Sequence, residues 1–199
     1  MAIQQTLRPF RDYSEKDVIN LFSVSGAPID TTYQIIATKG SLVKVVGNGF
    51  VNDQDPEVMI GNMGLFNVNN FVGQRYGVSS QVALAGVSDQ PIGMLLFDVR
   101  ELDENGEMLK YRPQKAAEME VVLSGQACPI VTRGLFIVSG VITGTTAITA
   151  GNPVYIGANG GFATSTDVTG KQVGIFLGSA GVTGAYGDST TTALIKLAI

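Results

Sequence analysis

Asp98, Glu101, Asp103, Glu104 and Glu107 lie within ten positions of one another. Two carboxylates held at a fixed separation are the acid and base of glycoside hydrolysis, so this cluster is the first candidate for chemistry. It surrounds Asn105-Gly106, a hairpin-type dipeptide, and the chain has no Trp to form a sugar platform. Residues 98 to 120 hold seven acidic and four basic residues, so the stretch reads as a solvated hairpin tip. Asn52-Asp53-Gln54-Asp55-Pro56-Glu57 starts like a calcium loop with alternating acidic side chains. Val58 then stands where the loop needs Gly, and Gly64 where it needs Glu, so a polar turn is expected.

The remaining catalytic templates fail on composition or spacing. The chain contains no His, which removes Ser-His-Asp and Cys-His schemes, and its one Cys cannot form an intrachain disulfide. Cys128 sits in an apolar run before Pro129 and reads as a small buried hydrophobe. Gly47-Asn48-Gly49 lacks the third glycine and the helix of a dinucleotide fingerprint. Thr169-Gly170-Lys171-Gln172 has Gln172 where a phosphate loop needs Ser or Thr, and Ser165 where it needs the leading Gly. The expectation is a protein that is not an enzyme and carries no cofactor or metal.

Charge excludes further classes. The net charge is −4 and the basic residues are scattered singly, which argues against a nucleic-acid surface. No apolar run approaches the ~20 residues that span a bilayer, so no membrane partner is expected. The first residues turn polar and charged where a secretory signal would be apolar, which predicts folding in the cytoplasm where the chain is made.

The elements behind these residues are short strands. Glycine numbers 25 of 199 residues, nearly twice ordinary usage, as suits many strands joined by tight turns. Strands are expected at Tyr33 to Thr38, Leu42 to Val46, Val82 to Val87, Pro153 to Ile156, Lys171 to Leu177 and Ala193 to Ile199, with a turn at Asn159-Gly160. Ser14-Glu15-Lys16-Asp17 has the capping pattern of one short helical turn.

The pattern occurs twice. Gly40 to Phe50 matches Gly151 to Phe162 with one residue inserted, Pro91 to Phe97 matches Gln172 to Leu177, and Glu120 to Leu123 matches Leu194 to Leu197. Three matches in one order point to a duplicated β unit. The organisation expected is an N-terminal arm over residues 1–30, a first β domain with insertions over 31–125, and a second over 126–199. The arm has two readings: a strand completing the first sheet, or an apolar and aromatic segment that docks on a neighbouring subunit. Asn62 to Asn70, with Met63, Leu65 and Phe66, is a second candidate contact loop. Between Gly134 and Ile199 only Asp167, Lys171, Asp188 and Lys196 are charged, a composition suited to burial against other subunits.

The second copy resembles the head decoration, or capsid cement, proteins of tailed bacteriophages. The resemblance rests on Ala150 to Phe162, on Val173-Gly174-Ile175-Phe176-Leu177-Gly178-Ser179-Ala180, and on the closing Ala193-Leu194-Ile195-Lys196-Leu197. Arg8 to Glu15 with Asp17-Val18-Ile19-Asn20-Leu21 is also similar to the start of structural proteins from marine tailed phages. The resemblance implies an all-β fold of small β-barrel or β-tulip units. It also implies a place on the capsid exterior of the virion, the major capsid protein as partner, and a homo-oligomer. A trimer is favoured, with dimers or monomers in some members. On this reading Arg8, Pro9, Phe10, Arg11, Tyr13, Val18, Ile19, Leu21 and Phe22 meet the capsid by strand addition. A tail, neck or fibre subunit is the competing expectation.

Overall fold

The computed structural model describes residues 6–46, 80–143, 147–164, 170–179 and 191–199. The chain is all-β. Its strands are β1 (Thr6–Asp12), β2 (Val18–Ile19), β3 (Ser23–Val24), β4 (Ile35–Ala37), β5 (Leu42–Val45), β6 (Gln81–Leu84), β7 (Gly93–Leu95) and β8 (Asp98–Arg100). They continue as β9 (Val121–Val122), β10 (Ile130–Val131), β11 (Arg133–Ser139), β12 (Pro153–Ile156), β13 (Phe162–Ala163), β14 (Gln172–Ser179) and β15 (Ala193–Ala198). One short helix, α1 (Pro113–Glu118), starts on a proline, whose fixed φ suits a first helical position. The expected turns form. Ser14 accepts a hydrogen bond from the Lys16 N–H at 3.3 Å ahead of a 3-10 turn. Asn159 and Gly160 take φ values of 53° and 73°.

Among the described residues, three open sheets stand where barrels were expected. A first six-stranded sheet runs β2-β10-β7-β5-β6-β3, a second runs β1-β11-β15-β14-β12-β13, and a small third sheet runs β4-β8-β9.

The pairings carry the duplication. In each copy five strands taken in chain order occupy the same places in the sheet: β2, β5, β6, β7 and β10 in the first, β11, β12, β13, β14 and β15 in the second. Val43 faces Gly93 and Leu42 faces Met94. Their counterparts Val154 and Pro153 face Gly174 and Ile175. Even a connecting residue repeats: the Ser25 N–H donates to the Val82 carbonyl at 2.8 Å, and the Ile142 N–H to the Phe162 carbonyl at 2.7 Å. The sequence matches need two corrections. Ile130-Val131, not Glu120 to Leu123, is the counterpart of Ile195-Lys196, because β10 lies beside β7 as β15 lies beside β14. The counterpart of Phe162 is Val82, not Phe50, because the return strand of the first hairpin comes after residues 47–79.

Gly93 and Gly174 show why the repeated glycine is needed. A Cβ on Gly93 would lie 2.6 Å from the Val131 carbonyl oxygen, and one on Gly174 would overlap the equivalent Lys196 carbonyl. Each strand crosses its neighbour too closely for a side chain.

The sheets stack in layers. One face of the first sheet (Val43, Val82, Leu95, Ile130) packs with Ile36, Ala37, Val99 and Val122 of the third sheet. Its other face (Leu42, Met94, Leu96, Val131) packs on the inner face of the second (Phe136, Val154, Phe162, Phe176, Ile195). A sheet apolar on both faces must be covered twice, which is why the middle layer reads as continuous apolar runs. The expected break between 125 and 126 therefore moves. Ile130-Val131 belongs to the first sheet, the copies divide near Thr132, and one core joins them.

The first residues are not a detached arm. β1 pairs antiparallel with β11, β2 with β10, and β3 runs parallel to β6. Leu7, Phe22 and Val24 are buried. The strand reading of this segment holds, although β1 completes the second sheet rather than the first.

Candidate partner-binding edge

β1 and β2 are consecutive in the chain and each is the outermost strand of a six-stranded sheet among the described residues. Together they form one bent edge, filled at Leu7, whose N–H donates to the Lys39 carbonyl at 3.3 Å. The ladder of β1 slips between Leu7 and Arg11. Pro9 sits in that slip, as expected of a residue with no N–H to give a ladder. On β2, the Thr132 N–H donates to the Asp17 carbonyl at 2.9 Å, so the next residue, Val18, turns its carbonyl to the open side. The Val18 N–H folds back onto the Glu15 carbonyl.

Side chains divide along this edge. Phe10 is 49% exposed, Leu21 54% and Tyr13 36%. Tyr13 also stacks on the buried Phe136 ring at 5.9 Å, which fixes its position. Pro9 is exposed, while Arg8, Arg11, Val18 and Ile19 are half-buried. Phe22 lies in the core, and its carbonyl accepts from the Cys128 N–H at 2.9 Å. Of the nine expected contact residues, Phe22 is thus committed to packing, and of Val18 and Ile19 only the Val18 carbonyl is turned to the open side, since Ile19 pairs with Ile130.

Beside the edge opens a cleft of about 500 Å³ lined by Leu7, Arg8, Pro9, Arg11, Lys39 and Glu120. Arg11 donates twice to Glu120, at 3.2 and 2.7 Å, and the Lys39 ammonium meets the same carboxylate at 2.9 Å. Arg11 and then Lys39 hold the Glu120 carboxyl below its ordinary value. Lys39 donates its backbone N–H to Asp98 at 2.7 Å, but burial dominates there and pushes the Asp98 carboxyl up. Glu120 takes a φ of 53°, a conformation that side chains rarely adopt. Lys39 and Glu120 escaped the sequence reading, since neither neighbours the edge in the chain.

The tip is solvated from Glu104 to Glu107, as expected, but Asp103 beside it is fully buried, a correction at that residue. Its carboxylate accepts from the Asn105 and Glu107 N–H groups at 2.8 Å each and pairs with Lys115. The Lys115 hydrogen bond leads in holding Asp103 down to about 2. Glu101 accepts from the Ser124 N–H at 3.2 Å, and burial raises it. Cys128 is buried, and desolvation pushes its thiol up to about 12. Among the described residues no three His, Cys, Asp or Glu side chains gather to hold a metal ion, and no helix is long and apolar enough to cross a membrane. The Asn52 to Glu57 loop, Gly47-Asn48-Gly49, Ser165 and the Asn62 to Asn70 loop lie outside the described residues.

Comparison with protein-family models, curated proteins and solved structures finds no match to this chain.

Proposed function

We propose that this chain is a structural component of a tailed-phage virion that binds the outside of the mature capsid lattice and stabilises it. The observation that carries the reading is the bent β1–β2 edge with Phe10, Tyr13 and Leu21 exposed along it. An open strand edge beside apolar side chains is the surface that a partner's extended segment completes. Pro9 interrupts the donor row of β1, so the backbone group left for a partner is the Val18 carbonyl of β2, while β1 supplies side chains. The second half adds a scaffold almost without charge, and its strand and turn motifs are those of the decoration-protein resemblance. A unit bound across subunits of the expanded lattice, and not to its precursor, stabilises the mature shell by mass action.

Deleting the first 24 residues would not test this, because Leu7, Phe22 and Val24 leave the core with them. Phe10→Asp and Leu21→Asp change exposed side chains only. Each should abolish co-sedimentation with undecorated expanded heads while the circular dichroism spectrum stays unchanged. Wild-type binding by the double variant would overturn the assignment of this edge.

A further inference from the structure

The cleft beside β1 is charged unlike the chain as a whole. The protein carries a net −4, yet Arg8, Arg11 and Lys39 line the cleft against a single lining carboxylate, Glu120. Its volume of about 500 Å³ falls within the ~300–1,000 Å³ of ligand clefts. Donors remain after the internal pairing is complete. Arg11 gives its two terminal nitrogens to the two Glu120 oxygens, so the guanidinium meets that carboxylate end-on. Its Nε–H lies on another edge of the same plane, is buried, and finds no acceptor. Lys39 spends one of its three ammonium donors on Glu120, and its side chain is 23% exposed. Asp98 accepts the Lys39 backbone N–H, not the ammonium.

Arg11 and Lys39 both reach Glu120 Oε2, at 2.7 and 2.9 Å, so they stand close enough for one further carboxylate to meet the two. A buried donor without an acceptor is costly, and an acceptor brought to it removes that cost. We infer that the cleft takes an acidic side chain of the partner that docks on the β1–β2 edge, its carboxylate accepting from the Lys39 ammonium and the Arg11 Nε–H. The inference rests on the reading of that edge as a docking surface and names the partner's chemistry there. Pro9 supplies an apolar wall for the stem of the incoming side chain. Glu120 has two effects. It holds both cations in place before the partner arrives, which lowers the cost of ordering them. Its own charge also opposes a second anion, which favours a carboxylate with one negative charge over a phosphate group with nearly two.

The test is isothermal titration of the full chain with N-acetyl tetraglutamate amide, beside the tetraglutamine peptide. The glutamate peptide should bind saturably and weaken as salt rises, and the glutamine peptide should not bind. Lys39→Gln should weaken binding about tenfold, the scale of one charge-assisted hydrogen bond, while Lys39→Arg keeps the charge and should stay within about twofold of wild type. Arg11→Lys can still pair with Glu120 but lacks the Nε–H, and should weaken binding severalfold with an unchanged circular dichroism spectrum. No glutamate binding, equal binding of the glutamine peptide, tighter binding of inorganic phosphate, or wild-type affinity in Lys39→Gln would each overturn the proposal. Undecorated expanded heads separate it from the edge reading. Co-sedimentation at wild-type strength by Lys39→Gln overturns the cleft and leaves the edge standing. Heads that the wild type ignores overturn the edge, and the peptide titration then decides the cleft alone.

Discussion

Gly93→Ala and Gly174→Ala are the sharpest probe of the duplicated architecture. An added methyl on Gly93 would sit 2.5 Å from Ile130 Cγ2 and 2.6 Å from the Val131 carbonyl oxygen, and one on Gly174 would overlap the Lys196 carbonyl. The obstructing oxygens belong to backbone inside a sheet, so the strands must part to admit the methyl. Overpacking of this kind typically costs about 1–3 kcal/mol. Alanine also removes unfolded-chain freedom, which favours folding by about 0.4–1 kcal/mol. The steric term wins, leaving about 1 kcal/mol of destabilisation at either site. At ~2–4 °C per kcal/mol for a chain of this size, each variant should melt roughly 2–4 °C below the wild type. Urea unfolding followed by circular dichroism measures both, with Gly106→Ala as a control for a turn glycine with open space around it. Its φ of 79° makes alanine cost about 1–2 kcal/mol there through backbone strain alone, with no clash. Full tolerance of alanine at Gly93 or Gly174 would refute the close crossing, and a loss at one site alone would refute their equivalence.

Further outcomes follow from the charged groups. Glu120→Ala should destabilise by about 1 kcal/mol, the scale of a part-exposed ion-pair network. Glu120→Gly should cost less, because glycine relaxes the φ of 53°. Because the Glu120 carboxyl is lowered from 4.5, its share of stability is present above that value and disappears as pH falls through the lowered one. Asp103, lowered from 3.8 to about 2, has the same sign, so its contribution fades between roughly pH 4 and pH 2. Half-buried Asp98 and Glu101 titrate with the opposite sign, so the melting-temperature difference between Asp103→Asn and wild type isolates Asp103: it should shrink across that window. Cys128 should resist a thiol-specific reagent at neutral pH in the native protein and react once urea unfolds it.

Three strands of the second copy, β12, β14 and β15, were legible in the sequence, whereas β11 and β13 were not expected. Pro153–Ile156 is the strand expected, and Asn159-Gly160 turns the chain where the dipeptide places it. Short loops and alternating apolar residues make local pattern and fold agree there. The first copy was legible only in part, because its strands are separated by long insertions. Glu120 to Leu123 imitates the closing strand in sequence, yet Val121 and Val122 pair in parallel with β8 in the third sheet. Pairing partners are set by the tertiary core, which no local apolar run encodes. Asp103 misled for a related reason: a charged turn reads as solvated unless the lysine that covers it, 12 residues on, is known to fold back. Met94 is buried and its counterpart Ile175 is 40% exposed, a difference equally silent in sequence, since both are apolar strand residues and only the layer above them differs.

The central claim is that this protein completes a capsid lattice through its N-terminal edge. Cryo-electron microscopy of the purified chain mixed with undecorated, expanded heads of its source phage tests that claim directly. The account predicts ordered density at symmetry-related positions outside the shell, with the β1–β2 edge against capsid subunits and Phe10 and Leu21 in the contact. Bare heads, with the chain recovered instead in the tail fractions of intact virions, would contradict it.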